Sequence, residues 1–531
     1  MSAASARIGW GRLGGAQAAA AAVAALVCLS FVINVLWFTR FAAIPLPASD
    51  AWYFLEVFVA PALDGSLALT DFFVQRSSDD HAQPLQKLIL WAHLHLAQLD
   101  FTVEALVGAV LAVVTTALLA MLVLRKRPLR AYPMFGVAAL FAIALSLNST
   151  GIYTWSLVTL GWALVLVFVL YWLGAGLIRR WQRMAIYGLL ASFSMAMMLD
   201  ELAFPVLLAA IMAVAVRDGL RNPRCFIALA VPGALGVAVA RVVLEAISPG
   251  ASIPAAGAAS LGQLLEIARA PEAWNLLVGP LSDSLVHRLH LQEMGPEAAA
   301  RVQWSLAITL AVAHIGFWWR ALVSRRLPAG ETTVVAVGLM LLFYATIAGI
   351  MLSRVAMFGV EYVHQPRYVL MYQLNVIALL LMFFAPRNEP EDSVAARSPA
   401  AIMAVAGALV VIGLQLPLSI SAWNTARYLP AYVQRSEQIL RQLSLDATMV
   451  PAGGCTDILT ICDATVGTRE KLIELLRENR MNLFSPEFRA RHGFDPIRDE
   501  ALKRSDGKQS VSVCDRALAN WAPKAIVRGQ S

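Results

Sequence analysis

Residues 17–38 read QAAAAAVAALVCLSFVINVLWF, a run without a single charge. A helix needs roughly 20 apolar residues to cross a bilayer core, so this stretch is long enough to span one. It is too long for the apolar part of a secretory signal, and no small-residue cleavage site follows it. It therefore reads as a retained anchor. Val103–Leu124, Ser156–Leu177, Thr332–Leu352 and Ala400–Ile420 repeat the pattern with few or no charges. Composition agrees, with 59% hydrophobic and 15% charged residues, against about 45–50% and 25% in soluble domains. The expected fold is an all-α polytopic membrane protein with about 11 transmembrane helices. Met184–Leu199 and Leu202–Val216 read as two short spans meeting at Asp200-Glu201, because basic clusters flank both ends of the pair.

Arginine and lysine mark the cytoplasmic ends of spans. Arg7 and Arg12 precede the first run, and Arg125-Lys126-Arg127 with Arg130 follow the second. Later clusters are Arg179, Arg180 and Arg183; Arg217, Arg221 and Arg224; Arg320, Arg325 and Arg326; and Arg387 with Arg397. They alternate with segments poor in basic residues, which predicts a cytoplasmic N-terminus and an outer C-terminal tail. The net charge of +7 is thus an orientation signal. The basic residues build no stripe, which argues against a nucleic-acid partner.

Two regions follow: a transmembrane domain over 1–422 and a tail over 423–531. The first outer loop covers 39–100 and a second large one covers 248–301. The tail is soluble in composition, and Thr468–Arg480 has helical periodicity with Leu472, Leu475 and Leu476 on one face. Cys455, Cys462 and Cys514 lie in it. An outer compartment is oxidising and suits a Cys455–Cys462 bridge, with the other pairings left open. The spacing matches no zinc pattern.

The first outer loop is the richest in candidate chemistry. It holds Ser49-Asp50-Ala51-Trp52-Tyr53, then Ser78-Asp79-Asp80-His81-Ala82-Gln83-Pro84-Leu85. Gln86–Gln98 reads as an interfacial helix, with Leu85, Leu88, Ile89, Ala92 and Leu96 as its apolar stripe and Lys87 turned away. His93 and His95 are expected only to decorate it. Trp52, Tyr53 and Trp91 are typical interface anchors. Carboxylates beside them can serve as a general base at the membrane surface or hold a divalent metal. His287 and His290 stand at i, i+3 with Asp283 one turn earlier; without a second ligand cluster, an ordinary polar loop is the expectation.

The order of these features resembles the GT-C superfamily of polytopic membrane glycosyltransferases, in particular the bacterial enzymes that use polyprenyl-phosphate sugars. The resemblance covers roughly Gln17 to Ile420 and rests on order and placement of short motifs. It implies that Asp50 is the catalytic base, with Asp79 and Asp80 as further catalytic candidates. His81, in the loose counterpart of a His-Pro-Pro-Leu stretch, would then bind substrate. Arg367 and Tyr368, in Pro366-Arg367-Tyr368-Val369-Leu370, match a family Arg-Tyr whose arginine holds the donor phosphate. The sequence departs from the family at Ala51, where a second acid is frequent. It departs again at Asp200 and Glu201, which stand where a Lys is common and would otherwise contact substrate.

The resemblance implies a transferase in the bacterial inner membrane. It would move a sugar from a polyprenyl-phosphate donor to a glycan or lipid acceptor on the outer face, among membrane lipids, with a divalent metal allowed but not required. The alternatives are a flippase for a lipid-linked saccharide and an inactive GT-C-like scaffold.

Overall fold

The computed structural model describes residues 15–74, 84–124, 131–219, 223–247, 261–270, 272–324, 327–328, 330–355, 358–385, 399–451 and 453–495. Asp79, Asp80, His81 and Cys514 lie outside the described residues, as do many of the basic residues used above for orientation. The described elements are helices, and no strand occurs among them.

Among the described residues eight helices are long and apolar enough to cross a membrane: Gln17–Ala42, Phe101–Leu124, Ser156–Leu177, Arg224–Ile247, Pro296–Ser324, Gly330–Val355, Pro366–Phe384 and Pro399–Leu445. Trp181–Leu199 and Ala203–Asp218 are separate helices joined by a tight turn over Asp200–Leu202. Asp200 takes φ 52° there, which ends the first helix sharply. Trp181–Leu199 packs along Arg224–Ile247 through small residues. A Cβ added at Gly236 would stand 2.4 Å from Leu189 O, so only glycine lets the two backbones come so close.

The apolar interior divides into two main cores. One fills the bundle, around Phe38, Trp162, Phe168, Trp172, Phe343 and Tyr372. The other lies at one end of the bundle and joins distant parts of the chain. Leu46, Trp52, Phe54, Leu55 and Phe58 of the first loop pack with Leu440, Leu443, Ile461, Leu472, Leu476 and Phe488 of the tail. We call this unit the head. The described part of the tail therefore shares its core with the first loop, over which its apolar side chains close.

Polar contacts lock the same junction. Asn482, at φ 48°, a conformation asparagine tolerates, donates its amide to Pro45 O at 2.9 Å and Leu99 O at 2.6 Å. Asp100 accepts from Arg491 at 2.7 Å and from His492 at 3.0 Å. Burial raises the cost of ionising Asp100, but His492, Arg491 and the Thr102 amide outweigh it and hold the carboxyl below its usual range.

Pro84–Ala97 forms the expected helix of the first loop. Leu88, Trp91 and Leu96 are exposed on one face, as befits a helix lying on a membrane surface. Lys87 turns the other way, into the head, where its Nζ donates to Asp71 O at 2.8 Å and Val74 O at 2.5 Å. Burial, opposed by Asp71, pushes its pKa down to about 8. His93 is no decoration. It is buried, donates from Nε2 to Asp100 O at 2.9 Å, and sets Nδ1 3.0 Å from Glu104. The expectation failed because the helix has two occupied faces, and the sequence periodicity displayed only the apolar one.

Candidate functional site

Asp50 sits at the turn that opens the short helix Ala51–Phe54, half-buried, with Ala51 and Trp52 buried behind it. The preceding residue, Ser49, adopts φ 50°, a conformation that costs a non-glycine residue energy and needs support from its surroundings. The tail supplies that support. Ser49 N–H donates to Ile458 O at 2.7 Å, and Thr460 Oγ1–H donates to Ser49 O at 2.9 Å. Ile458 and Thr460 lie in the loop closed by a disulfide between Cys455 and Cys462. Both backbone groups of the residue before Asp50 are thus held by a cross-linked loop more than four hundred residues away in sequence.

Arg367 lies in the turn Pro366–Tyr368 that leads into the helix Val369–Phe384. Its guanidinium stacks 5.6 Å from the ring centre of Tyr362 and 5.3 Å from that of Tyr368, and it donates to the Tyr362 hydroxyl. Its Nε is buried and has no hydrogen-bond partner. Arg354 is half-buried and close enough to Tyr368 to act on it electrostatically. Among the described residues neither arginine has a carboxylate partner. Two cations around a pair of tyrosines, with no acid to neutralise them, form a site ready for an anion.

The Arg367 turn rests on a buried polar network. Asp283 is fully buried and receives His364 Nδ1–H at 2.6 Å and the Arg288 amide at 3.1 Å. His287 donates from Nε2 to His364 O at 2.8 Å. Asn148 joins the segments by donating to Asp283 O at 2.7 Å and accepting the His287 amide at 2.6 Å. His290 donates from Nε2 to Asn148 O at 2.8 Å. Carbonyl oxygens only accept, so both histidines carry the proton on Nε2. Burial pushes the pKa of His287 and of His290 down; Asp283 opposes it at His287, and the Asn148 carbonyl opposes it at His290. Gly279 makes room for the His364 ring, because a Cβ there would lie 2.7 Å from its Cε1.

The two turns are linked across residues 149–154. Ile44 N–H donates to Thr154 O at 2.9 Å, and Ser149 Oγ–H donates to Pro366 O at 2.9 Å. Asp50 and Arg367 therefore stand at the same end of the bundle. Asp200 has a partner of its own. It is buried and ion-paired with Arg241 at 2.6 Å, at the rim of an apolar groove of about 580 Å³ lined by Phe204, Leu207, Ile211 and Val237. For Glu201 the backbone alone is described.

The Asp283–His364 pair and its ties to Asn148 were missed from sequence. The residues were visible as a polar loop and as the start of His364-Gln365-Pro366-Arg367, but nothing local joins positions 81 residues apart. The i, i+3 histidines are network members. Among the described residues no group of three or more His, Cys, Asp or Glu side chains is arranged to hold a metal ion. Compared with known protein families, curated proteins and solved structures, the chain matches none.

Proposed function

We propose that the chain is a GT-C-type glycosyltransferase of a bacterial inner membrane. In this reading Ala131–Ala144, Trp181–Leu199 and Ala203–Asp218 join the eight long helices to give eleven spans, with a cytoplasmic N-terminus and a periplasmic head. The observation that carries the proposal is the Arg367 turn: a guanidinium stacked on two tyrosines, with Arg354 near one of them and no carboxylate partner among the described residues, at the bundle end that also presents Asp50. An anion-ready site at the head of a membrane-length helix suits a polyprenyl-phosphate donor.

The reaction follows from that pairing. The acceptor hydroxyl oxygen attacks the anomeric carbon, and its proton passes to the Asp50 carboxylate. The bond from the anomeric carbon to the phosphate oxygen breaks, and polyprenyl phosphate leaves with the electron pair. Arg367 stabilises the charge that grows on the departing oxygen. The Asp283–His364 network holds the Arg367 turn rigid. Asp79, Asp80 and His81 of the first outer loop remain the further candidates for base and substrate contact.

The flippase reading draws on one feature, the Asp200–Arg241 pair beside an apolar groove, since charges within a bundle often mark a transport path. Mass spectrometry of envelope glycans and lipids distinguishes the two. A strain carrying the chain should gain one sugar modification, and Asp50→Asn should lose it while lipid-linked donor still accumulates outside. An unmodified envelope in both strains, with outer donor dependent on the chain, would favour transport.

A further inference from the structure

The helix Leu429–Leu445 carries Gln434, Gln438 and Gln442 at four-residue spacing. A rise of about 1.5 Å per residue sets such amides about 6 Å apart along one stripe. All three line a cavity of about 630 Å³ between the end of the first long helix and the tail. Gln434 and Gln438 are exposed and Gln442 is half-buried. None of these amides is engaged by another described side chain or backbone group.

The rest of the lining is graded in the same sense. Arg441 is tied to Glu437, and Arg491 and His492 are tied to Asp100, so these charges form a fixed, largely neutralised wall. Arg40, in the last turn of Gly15–Ala42, also lines the cavity and has no ion pair among the described residues. Phe41 and Phe494 contribute aromatic surface.

An amide presents a donor and an acceptor in one plane, which suits adjacent hydroxyls on a sugar ring. Repeating it at a pitch of about 6 Å offers the same contact to successive rings of a short glycan. Aromatic rings pack against the C–H faces of such rings, and a guanidinium without a carboxylate partner takes an anionic substituent. The volume is in the range of small-ligand sites, roughly 300–1,000 Å³.

We propose that this cavity binds a saccharide bearing an anionic group, with the sugar hydroxyls along Gln434, Gln438 and Gln442 and the anion at Arg40. It shares no residue with the Asp50 and Arg367 turns. As the seat of the acceptor it rests on the glycosyl-transfer reading, but as a saccharide site it stands alone.

The test is calorimetry on the full chain in detergent, with tetragalacturonate, maltotetraose and inorganic phosphate as probes and no donor present. Tetragalacturonate should bind more tightly than maltotetraose. Gln434→Ala/Gln438→Ala/Gln442→Ala should weaken both at least tenfold, and Arg40→Gln should abolish the preference for the acidic chain while sparing maltotetraose. Gln438→Ala alone gives the same direction should the triple variant unfold. Failure of both oligosaccharides to bind, or unchanged affinity in the amide variants, overturns the proposal. So does phosphate that displaces tetragalacturonate at equal affinity, which would mark a bare anion site. Intact binding in a chain that proves unable to transfer sugar would fault the transfer reading and leave this one standing.

Discussion

The Asp50 turn and the Arg367 turn are held by opposite means. Asp50 follows a residue whose backbone is gripped by main-chain and hydroxyl contacts from a disulfide-closed loop. Arg367 follows a segment anchored by buried side chains: a carboxylate, two histidines and an asparagine. The clamp before Asp50 tolerates substitution of its side chains, Thr460 excepted, since its other contact is made by main-chain groups common to all residues. A buried side-chain network does not, because each member leaves its neighbour unsatisfied when it goes. One half-site is therefore robust to mutation but dependent on a covalent link. The other is independent of that link but fragile at single positions.

The largest expected effect breaks the fragile half. Asp283→Ala strands His364 and the Arg288 amide in a dry interior, and removal of one partner of such a pair costs about 3–5 kcal/mol. Thermal unfolding in detergent should show a marked drop, with protection lost around residues 283–290. An unchanged midpoint would mean that the network contributes nothing.

Breaking the clamp comes next. Closing so short a loop is worth about 2 kcal/mol in the chain-entropy account. Cys455→Ser/Cys462→Ser should destabilise the head by that order and speed amide exchange at Ser49–Phe54, while residues 283–290 stay protected. Equal loss in both regions would erase the contrast.

Chemistry should fall next. Asp50→Asn and Arg367→Ala should each insert at normal abundance and lower transfer at least about tenfold, on the order of 1.4 kcal/mol. Full activity in Asp50→Asn would shift the base to Asp79 or Asp80.

The smallest effect is in acid. His287 and His290 have folded pKa values below the ordinary 6.5, so the unfolded chain binds more protons as pH falls. Their contribution is complete above about pH 6.5 and declines below it, by on the order of 1 kcal/mol per pH unit. Asp100, whose pKa is also lowered, behaves in the same sense but lower on the pH scale. Its contribution is present above the ordinary carboxyl value of 3.8 and fades only as pH drops further. At pH 5.5 hydrogen exchange should therefore loosen residues 283–290 before the junction of Asp100 with Arg491. Simultaneous loosening would refute the assignment.

How much of this was legible in the chain follows the range of the forces involved. The long apolar helices are local and uninterrupted, so their existence was readable residue by residue. So was the break at Asp200, where two acids interrupt an apolar pattern. The helix Pro84–Ala97 was readable from its apolar stripe, but the burial of Lys87 and His93 was not, because it depends on what packs from the far side. The union of the first loop with the tail left no trace in composition. The same holds for Asp283 with His364: each is an unremarkable polar residue until the fold brings them together. Asp50 stood out through its position after a span and beside aromatic residues, whereas the groups that hold its backbone are contributed by the other end of the protein.

That union also sets a clock. Asp100 meets Arg491 across 391 residues of chain. Ribosomes add roughly 5–20 residues each second, so the first loop emerges some tens of seconds before the tail that covers it. During that interval Trp52, Phe54 and Phe58 pack only against their own loop and lack the apolar side chains of the tail that complete their core. A newborn chain is thus exposed at its first loop for as long as the rest of the protein takes to be made, and a nascent chain stalled anywhere before the tail would present that surface to whatever holds unfinished proteins at the membrane.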